Sequence, residues 1–337
     1  MNNSATAGVA ADEESGSRGR GGAAGGRRRT LWTRGRVLAG LAALVAWLLV
    51  FHATVPDLPG RPASLLETFL PWLGLAVPVL LVGALVRRSV TALLAALLPA
   101  VAWLGHFGHL LWDEGTTGRT GMTVVQHNAA DDNPDPAGTA RALLAAGADL
   151  IALQEVTPAA LPAYTDALVG RYRYQAVHGT VGLWSAYPLT DVQALDIRPH
   201  GIGPDWQRGL RVTAETPYGD VAVYVAHLPS VRITATRGFD SVRRDESAAL
   251  LGAALAAERL DRVVLLGDLN GTVDDRGLAP LTTRLDPASA GLAFSWPASA
   301  PLARIDQVMA RGAEVTRVWT LAPTGSDHLP VAARLAF

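Results

Sequence analysis

The chain has 337 residues and a formal net charge of −1, with 49% hydrophobic residues, no cysteine, and arginine as its only strongly basic residue, 29 in all. That length supports one large or two small domains with a sizeable core, and the lack of cysteine excludes a disulfide framework, a thiolate metal site and a cysteine nucleophile. The near-neutral total hides an asymmetry: residues 1–112 hold 10 arginines against 5 acids and the remainder 19 against 25, so the second part lacks the broad basic footprint of a sequence-indifferent nucleic-acid binder.

Residues 1–36 are rich in Gly, Ala, Ser and Arg with almost no apolar periodicity, which predicts a disordered tail. Three apolar stretches follow, Val37 to Val55, Leu65 to Val86 and Val90 to Trp112. Each approaches the length of about 20 residues that a bilayer core requires of a helix, so residues 37–112 read as three transmembrane helices. A cleaved signal peptide is disfavoured, because no small-residue cleavage site follows the first stretch and two more stretches come after it. The arginines of the tail and the Arg87 Arg88 pair fall on one side, and short arginine-rich segments stay cytoplasmic. The N-terminus is therefore expected inside and everything beyond Trp112 outside. The connector 113–121 has nine residues and spans at most about 30 Å when fully extended, which keeps the domain at 122–337 close to the membrane.

From Met122 onward strand-like runs alternate with helical patterns. Strands are expected at Met122 to Gln126, Leu150 to Leu153, Val181 to Trp184, Val221 to Val225, Val263 to Leu266, Ile305 to Met309 and Val315 to Leu321, from their continuous or alternating apolar content. Pro217 Tyr218 Gly219 Asp220 supplies a hairpin turn between Arg211 to Thr216 and the run at Val221. Helices are expected at Pro136 to Ala146 and Arg243 to Arg259. Hairpins mixed with crossover helices imply a layered α/β sandwich.

Six polar clusters follow these strands in order: Gln126 His127 Asn128; Gln154 Glu155; Ala226 His227 Leu228; Gly267 Asp268 Leu269 Asn270; Arg304 Ile305 Asp306; and Ser326 Asp327 His328. Oxygen donors at strand ends suit Mg²⁺, a hard ion that keeps waters to share with a phosphate. Histidines beside it can stabilise phosphate oxygens or protonate a leaving group. The inventory fits metal-assisted phosphoester hydrolysis.

The ordered set, above all Gly-Asp-x-Asn followed about sixty residues later by Ser-Asp-His-x-Pro, resembles the endonuclease/exonuclease/phosphatase superfamily, which includes DNase I and bacterial sphingomyelinases. The resemblance implies a four-layer α/β/β/α sandwich behind the three spans, and a Mg²⁺ cofactor with Mn²⁺ as a substitute. It implies Glu155, Asn128 and Asp327 as metal-side residues and His227, Asp268, Asn270, Asp306 and His328 as catalytic ones. In that scheme His227 is the general acid and Asp306 fixes its imidazole, while Asp268 and Asn270 position the attacking water. Two departures stand out, since Ala130 takes the place of a second acid found in abasic-site nucleases and Ala186 that of a family arginine. Among the arginines that could reach a phosphate, Arg211 is preferred over Arg208, Arg232 and Arg237 because it begins a strand near the expected site.

A three-span anchor joined to this domain also resembles membrane proteins of actinomycete teicoplanin resistance. That likeness implies a lipid-linked phosphate such as undecaprenyl diphosphate as substrate, in recycling of a cell-wall carrier, with the membrane rather than a nucleic acid as partner. The alternatives are a surface-anchored nuclease, a sphingomyelinase-like phosphodiesterase, or an inactive scaffold, which six intact clusters disfavour.

Overall fold

The computed structural model describes residues 35–112 and 121–337. The expected disordered tail, apart from its last two residues, and all but the last residue of the connector lie outside the described residues.

Strands β1 (Gly121–Asn128), β2 (Leu150–Gln154), β3 (Tyr174–His178), β4 (Val181–Ser185), β12 (Glu314–Thr320) and β13 (Val331–Ala336) form one sheet, in the order β12-β13-β1-β2-β4-β3. A second sheet joins β5 (Leu189–Ala194), β6 (Gly209–Thr216), β7 (Gly219–His227), β10 (Val263–Asp268) and β11 (Asp306–Arg311) as β11-β10-β7-β6-β5. A short hairpin, β8 (Arg232–Thr234) with β9 (Gly238–Asp240), stands apart. Among the described residues only β1 with β2 and β7 with β10 pair in parallel; the remaining pairs are antiparallel.

Three apolar clusters set the layers. Val124, Leu150 and Leu183 of the first sheet meet Val212, Val223, Val225 and Leu266 of the second in a common buried core. The outer face of the first sheet, with Val125, Ile151 and Trp184, is covered by Leu143 of helix Pro136–Ala145 and Tyr164 of helix Leu161–Leu168. The outer face of the second, with Tyr224, Leu265 and Met309, is covered by Leu251 and Leu255 of helix Val242–Ala257. This is a four-layer α/β/β/α sandwich. It explains the unbroken apolar run of β10: buried on both faces, a central strand has no polar side to alternate with.

Every expected strand and both expected helices are present. The sequence reading missed β3, β5, the β8–β9 hairpin, β13 and helix Leu161–Leu168.

The apolar segment departs from three equal spans. Arg36–Thr54 and Val90–Leu111 are each long and apolar enough to cross a membrane, while Pro62–Thr68 and Leu70–Val86 are bent by 73° at their junction and count as a third crossing only if taken together. Phe69 leaves helical geometry (φ −109°, ψ 20°) and a new turn starts at Leu70–Pro71. Proline suits a helix start but cannot continue one, for want of an N–H. The expected span Leu65 to Val86 thus begins inside a short helix that docks on the two-sheet domain. Glu67, fully buried, accepts from Arg276 Nη2 at 2.7 Å and Nε at 3.0 Å, and Ser64 donates to Asp275 at 2.6 Å. A buried carboxylate needs such a partner to offset its desolvation.

Among the described residues the domain meets the apolar helices at the end that carries His52, His106 and Leu110. His52 O accepts from Arg276 at 3.1 Å, His106 Nε2 lies 2.9 Å from Asp274, and Leu110 O accepts from Gly291 N at 2.9 Å. Arg36, Arg87 and Arg88 occupy the opposite helix ends.

Candidate active site

Register brings the clusters together. Asp268 ends β10 opposite His227 on one neighbour and Asp306 on the other. Asn128 and Gln154 end β1 and β2 side by side, with Glu155 one residue further. The two parallel pairs therefore expose the C-terminal ends of their strands at the same rim, and β11, running the opposite way, begins there. The close approach of β10 to β7 requires Gly267, where a Cβ would fall 2.2 Å from Ala226 O.

Asp268 is buried and fully engaged. Its Oδ2 accepts from Asn128 Nδ2 at 3.0 Å and its Oδ1 from the Asn270 backbone N–H at 3.0 Å. His227 Nε2 and His328 Nε2 stand 3.5 and 3.8 Å from Oδ2. Burial, reinforced by nearby Asp306 and opposed by His328 and the two hydrogen bonds, holds its pKa above the usual carboxylate range. His328 shows the reverse balance. Burial opposes its charge, but Asp306, Asp268 and the bond from Nδ1 to Asp306 Oδ2 at 2.8 Å raise it to about 10.

The expected pairing of Asp306 with His227 is corrected by this geometry. Asp306 holds His328, accepts from Ser295 Oγ at 2.6 Å and is also bonded by Gln126 Nε2. The reason is register: Asp268 stands between Asp306 and His227, so those two lie two strands apart, roughly 9.5 Å. His227 is instead fully buried, with Arg208 Nη1 3.0 Å from its Nδ1 and Glu155 Oε1 3.7 Å from its Nε2. Burial, then the Arg208 and His328 charges, keep the ring neutral, well below its ordinary 6.5. It lies behind the cavity described next rather than on its wall.

That cavity, about 760 Å³, is lined by Asn128, Glu155, Asp268, Asn270, Asp327 and His328 together with Asp131 and Asp132. Glu155 Oε2 accepts from Asp131 N at 3.1 Å, and Asn270 Nδ2 donates to Leu228 O at 2.9 Å. Asp327 sits at the exposed edge and accepts from Trp296 Nε1 at 3.3 Å. Glu155, Asn270 and Ala130 all have positive φ (58°, 48° and 62°). Asparagine tolerates this, but the conformation costs Glu and Ala roughly 1–3 kcal/mol each, and such strain collects at functional sites.

The residues fit a hard divalent cation. Carboxylates of Glu155 and Asp268 and amides of Asn128 and Asn270 supply oxygen donors around one cavity whose acids outnumber its single cationic wall residue, His328. Asp268, Asp306 and His328 also offer ligand atoms within 4.8 Å of one another. The facing atoms of Asp306 and His328, however, already share a hydrogen bond.

Arg211 is corrected as well. It lies three residues along β6 from the rim, buried in a separate cavity, where it donates to Glu258 at 2.9 Å and to Asp191 at 2.6 Å. Arg208, passed over in the sequence, is the arginine at the site, its guanidinium 5.3 Å from the Trp206 ring. Ser295 and Gln126, which hold Asp306, carried no assigned role. Ser295 lies in an unpatterned loop and gave no signal; Gln126 stood in a recognised cluster.

The raised His328 pKa predicts a pH dependence. A folded-state value near 10 against an ordinary 6.5 gives stabilisation fully present below 6.5 and lost as pH rises toward 10. Thermal melts in chelator should therefore fall between pH 6.5 and 10 more steeply for the wild type than for His328→Asn. Equal slopes would contradict the pairing.

The fold and site place the chain with the metal-assisted phosphoesterases built on two facing sheets. It belongs to the Endonuclease/Exonuclease/phosphatase family, whose profile matches residues 85–328. No curated protein sequence matches it. Among solved structures, D. rerio TDP2 complexed with a single-strand DNA product is 14% identical, TM-score 0.53, covering 65% of this chain and 100% of that one. The beta toxin of Staphylococcus aureus is 15% identical, TM-score 0.52, covering 63% and 99%. A family protein from Bacteroides thetaiotaomicron is 17% identical, TM-score 0.51, covering 65% and 98%. At such identities these likenesses speak for the fold alone.

Proposed function

We propose that the chain is a membrane-anchored, divalent-metal-dependent phosphohydrolase acting outside the cytoplasm on a lipid-linked phosphate or diphosphate, such as a polyprenyl diphosphate carrier. One observation carries this reading: Thr68 and Phe69, at the bend between the docked helix and the apolar segment, line the same cavity as Asp268 and His328. A site whose wall includes the junction with an apolar segment suited to a bilayer would face substrates of that membrane. Arg36, Arg87 and Arg88 at the far helix ends support the outward placement. The lack of a broad basic footprint in residues 113–337, with 19 arginines against 25 acids, disfavours a nucleic acid.

The cation, held by Glu155 and Asp268 with Asn128 and Asn270 beside them, would supply Lewis-acid polarisation of the phosphoryl group. Asp306 fixes His328 Nδ1, so that the protonated Nε2 points toward Asp268 and can donate to a phosphate oxygen. Asp268, on the same cavity wall as His328, is suited to orient the attacking water and accept its proton. Neutral His227 and the adjacent Arg208 back this carboxylate from behind.

The test is a side-by-side assay of the full chain in nanodiscs with Mg²⁺ or Mn²⁺. Inorganic phosphate should be released from a polyprenyl diphosphate and plasmid DNA left intact. Cleavage of DNA alone establishes the nuclease reading instead, and turnover undiminished by chelator overturns the mechanism.

A further inference from the structure

A second cavity, about 480 Å³, lies where the apolar helices meet the catalytic domain. Its walls are Pro71, Trp72 and Leu75 of the second apolar segment, Trp103 and Leu104 of the third, and Phe294 of the domain above them. Both indoles spend their N–H groups on backbone: Trp72 Nε1 donates to Leu302 O at 2.6 Å and Trp103 Nε1 to Pro71 O at 2.7 Å. What they turn to the cavity is hydrocarbon. Gly74 makes the arrangement possible, since a Cβ there would fall 2.5 Å from Trp103 Nε1. The Trp72 ring stacks on Phe294 with centroids 5.6 Å apart, which ties the membrane segment to the domain at this point.

The cavity adjoins the active site through shared wall residues. Pro71, Leu292 and Phe294 also line a small gap of about 40 Å³, together with Thr68. Thr68 in turn lines the active-site cavity with Phe69. Two residues beyond Phe294, Trp296 lines the active-site cavity and bonds Asp327. Residues 292–296 are thus a partition with the apolar groove on one side and the acidic pocket on the other.

The geometry points to this groove as the seat of the hydrocarbon chain of the lipid whose phosphate enters the Asp268 and His328 site. The inference rests on the lipid-phosphate reading and deepens it. Inside a bilayer, apolar surfaces gain little by meeting each other rather than lipid. The groove therefore acts by direction: it fixes the chain's path so that the headgroup emerges beside Thr68, in line with the pocket. Holding a reactant in register with the catalytic groups raises the productive fraction of encounters.

Leu75 and Leu104 are exposed on the apolar helices, so L75W and L104W narrow the groove without disturbing a buried contact. In nanodiscs, each variant should lose at least about tenfold in kcat/KM for a long-chain polyprenyl diphosphate, and retain the wild-type rate on a water-soluble two-isoprene diphosphate. A polyprenyl phosphate carrying a photoreactive diazirine on its chain should label residues 71–78, 100–104 and 292–294 of the wild type. Unlabelled polyprenyl phosphate should compete, and phosphatidylcholine should not. Equal losses on both diphosphates, or undiminished long-chain turnover in both variants, overturn the groove while leaving the hydrolase reading standing. Labelling competed equally by phosphatidylcholine means bulk lipid alone and also overturns it. Should the wild type hydrolyse neither diphosphate, the functional reading fails, and the labelling pattern, which needs no turnover, decides the groove by itself.

Discussion

Asp268→Ala and His328→Ala are each expected to lower the rate of phosphate release by about 10³-fold or more, the scale on which a general base or a transition-state hydrogen-bond donor acts. Asp268→Ala also strands two donors, Asn128 Nδ2 and Asn270 N, so Asp268→Asn is the cleaner probe. It keeps the shape and one carbonyl oxygen while removing the charge. Asp306→Asn separates positioning from chemistry on the other side of the site. His328 stays in place, but its Nδ1 loses the carboxylate that keeps the ring protonated, so activity should fall by less than in His328→Ala and its decline with rising pH should begin lower. Steady-state release of phosphate, with melting curves to certify folding, reads all four variants. Full activity in both alanine variants would remove the catalytic assignment.

Arg244→Met is expected to destabilise the protein by about 3–5 kcal/mol, the usual cost of leaving one member of a buried ion pair alone. Arg244 is fully buried and donates to Asp275 Oδ2 at 2.8 Å, Ser64 Oγ at 3.2 Å and the Asn270 backbone carbonyl at 3.0 Å. One side chain thus joins the docked helix Pro62–Thr68, the loop after β10 and helix Val242–Ala257. Its removal leaves Asp275 buried with only the Ser64 and Thr68 hydroxyls and the Gly277 N–H as partners and frees Asn270 from one of its restraints, so activity should drop at temperatures where the fold persists. The double variant Arg244→Met, Asp275→Leu should cost less than the two single changes added together, because it buries no lone charge. Denaturation curves for the three variants decide the matter, and additive losses would show that the pair is not coupled.

What could be read from the sequence followed from burial. Val263–Leu266 is legible because a strand covered on both faces is apolar at every position. β13, Val-Ala-Ala-Arg-Leu-Ala, is half alanine and reads as weakly as a helix. β5 lies at the edge of its sheet with most residues exposed, so no apolar alternation marks it. The clusters at strand ends were legible as residues because Asp, Asn and His stand out directly after apolar runs. Their partners were not. Which imidazole Asp306 holds depends on how β11, β10 and β7 lie side by side, a fact of pairing that no single segment contains. The break at Phe69 escaped for a similar reason. A hydropathy window averages across Glu67, and its ion pair with Arg276, with the Ser64 bond to Asp275, shows that this stretch belongs to the domain.

That ion pair changes what kind of attachment the domain has. A domain attached through one point alone would swing, sampling every tilt within its reach. Held also through Glu67, Ser64 and the stacked Trp72, the pocket mouth keeps a set height and angle relative to the apolar helices. For a lipid substrate, collisions then become a search in two dimensions, governed by surface density and lateral diffusion rather than by concentration in solution.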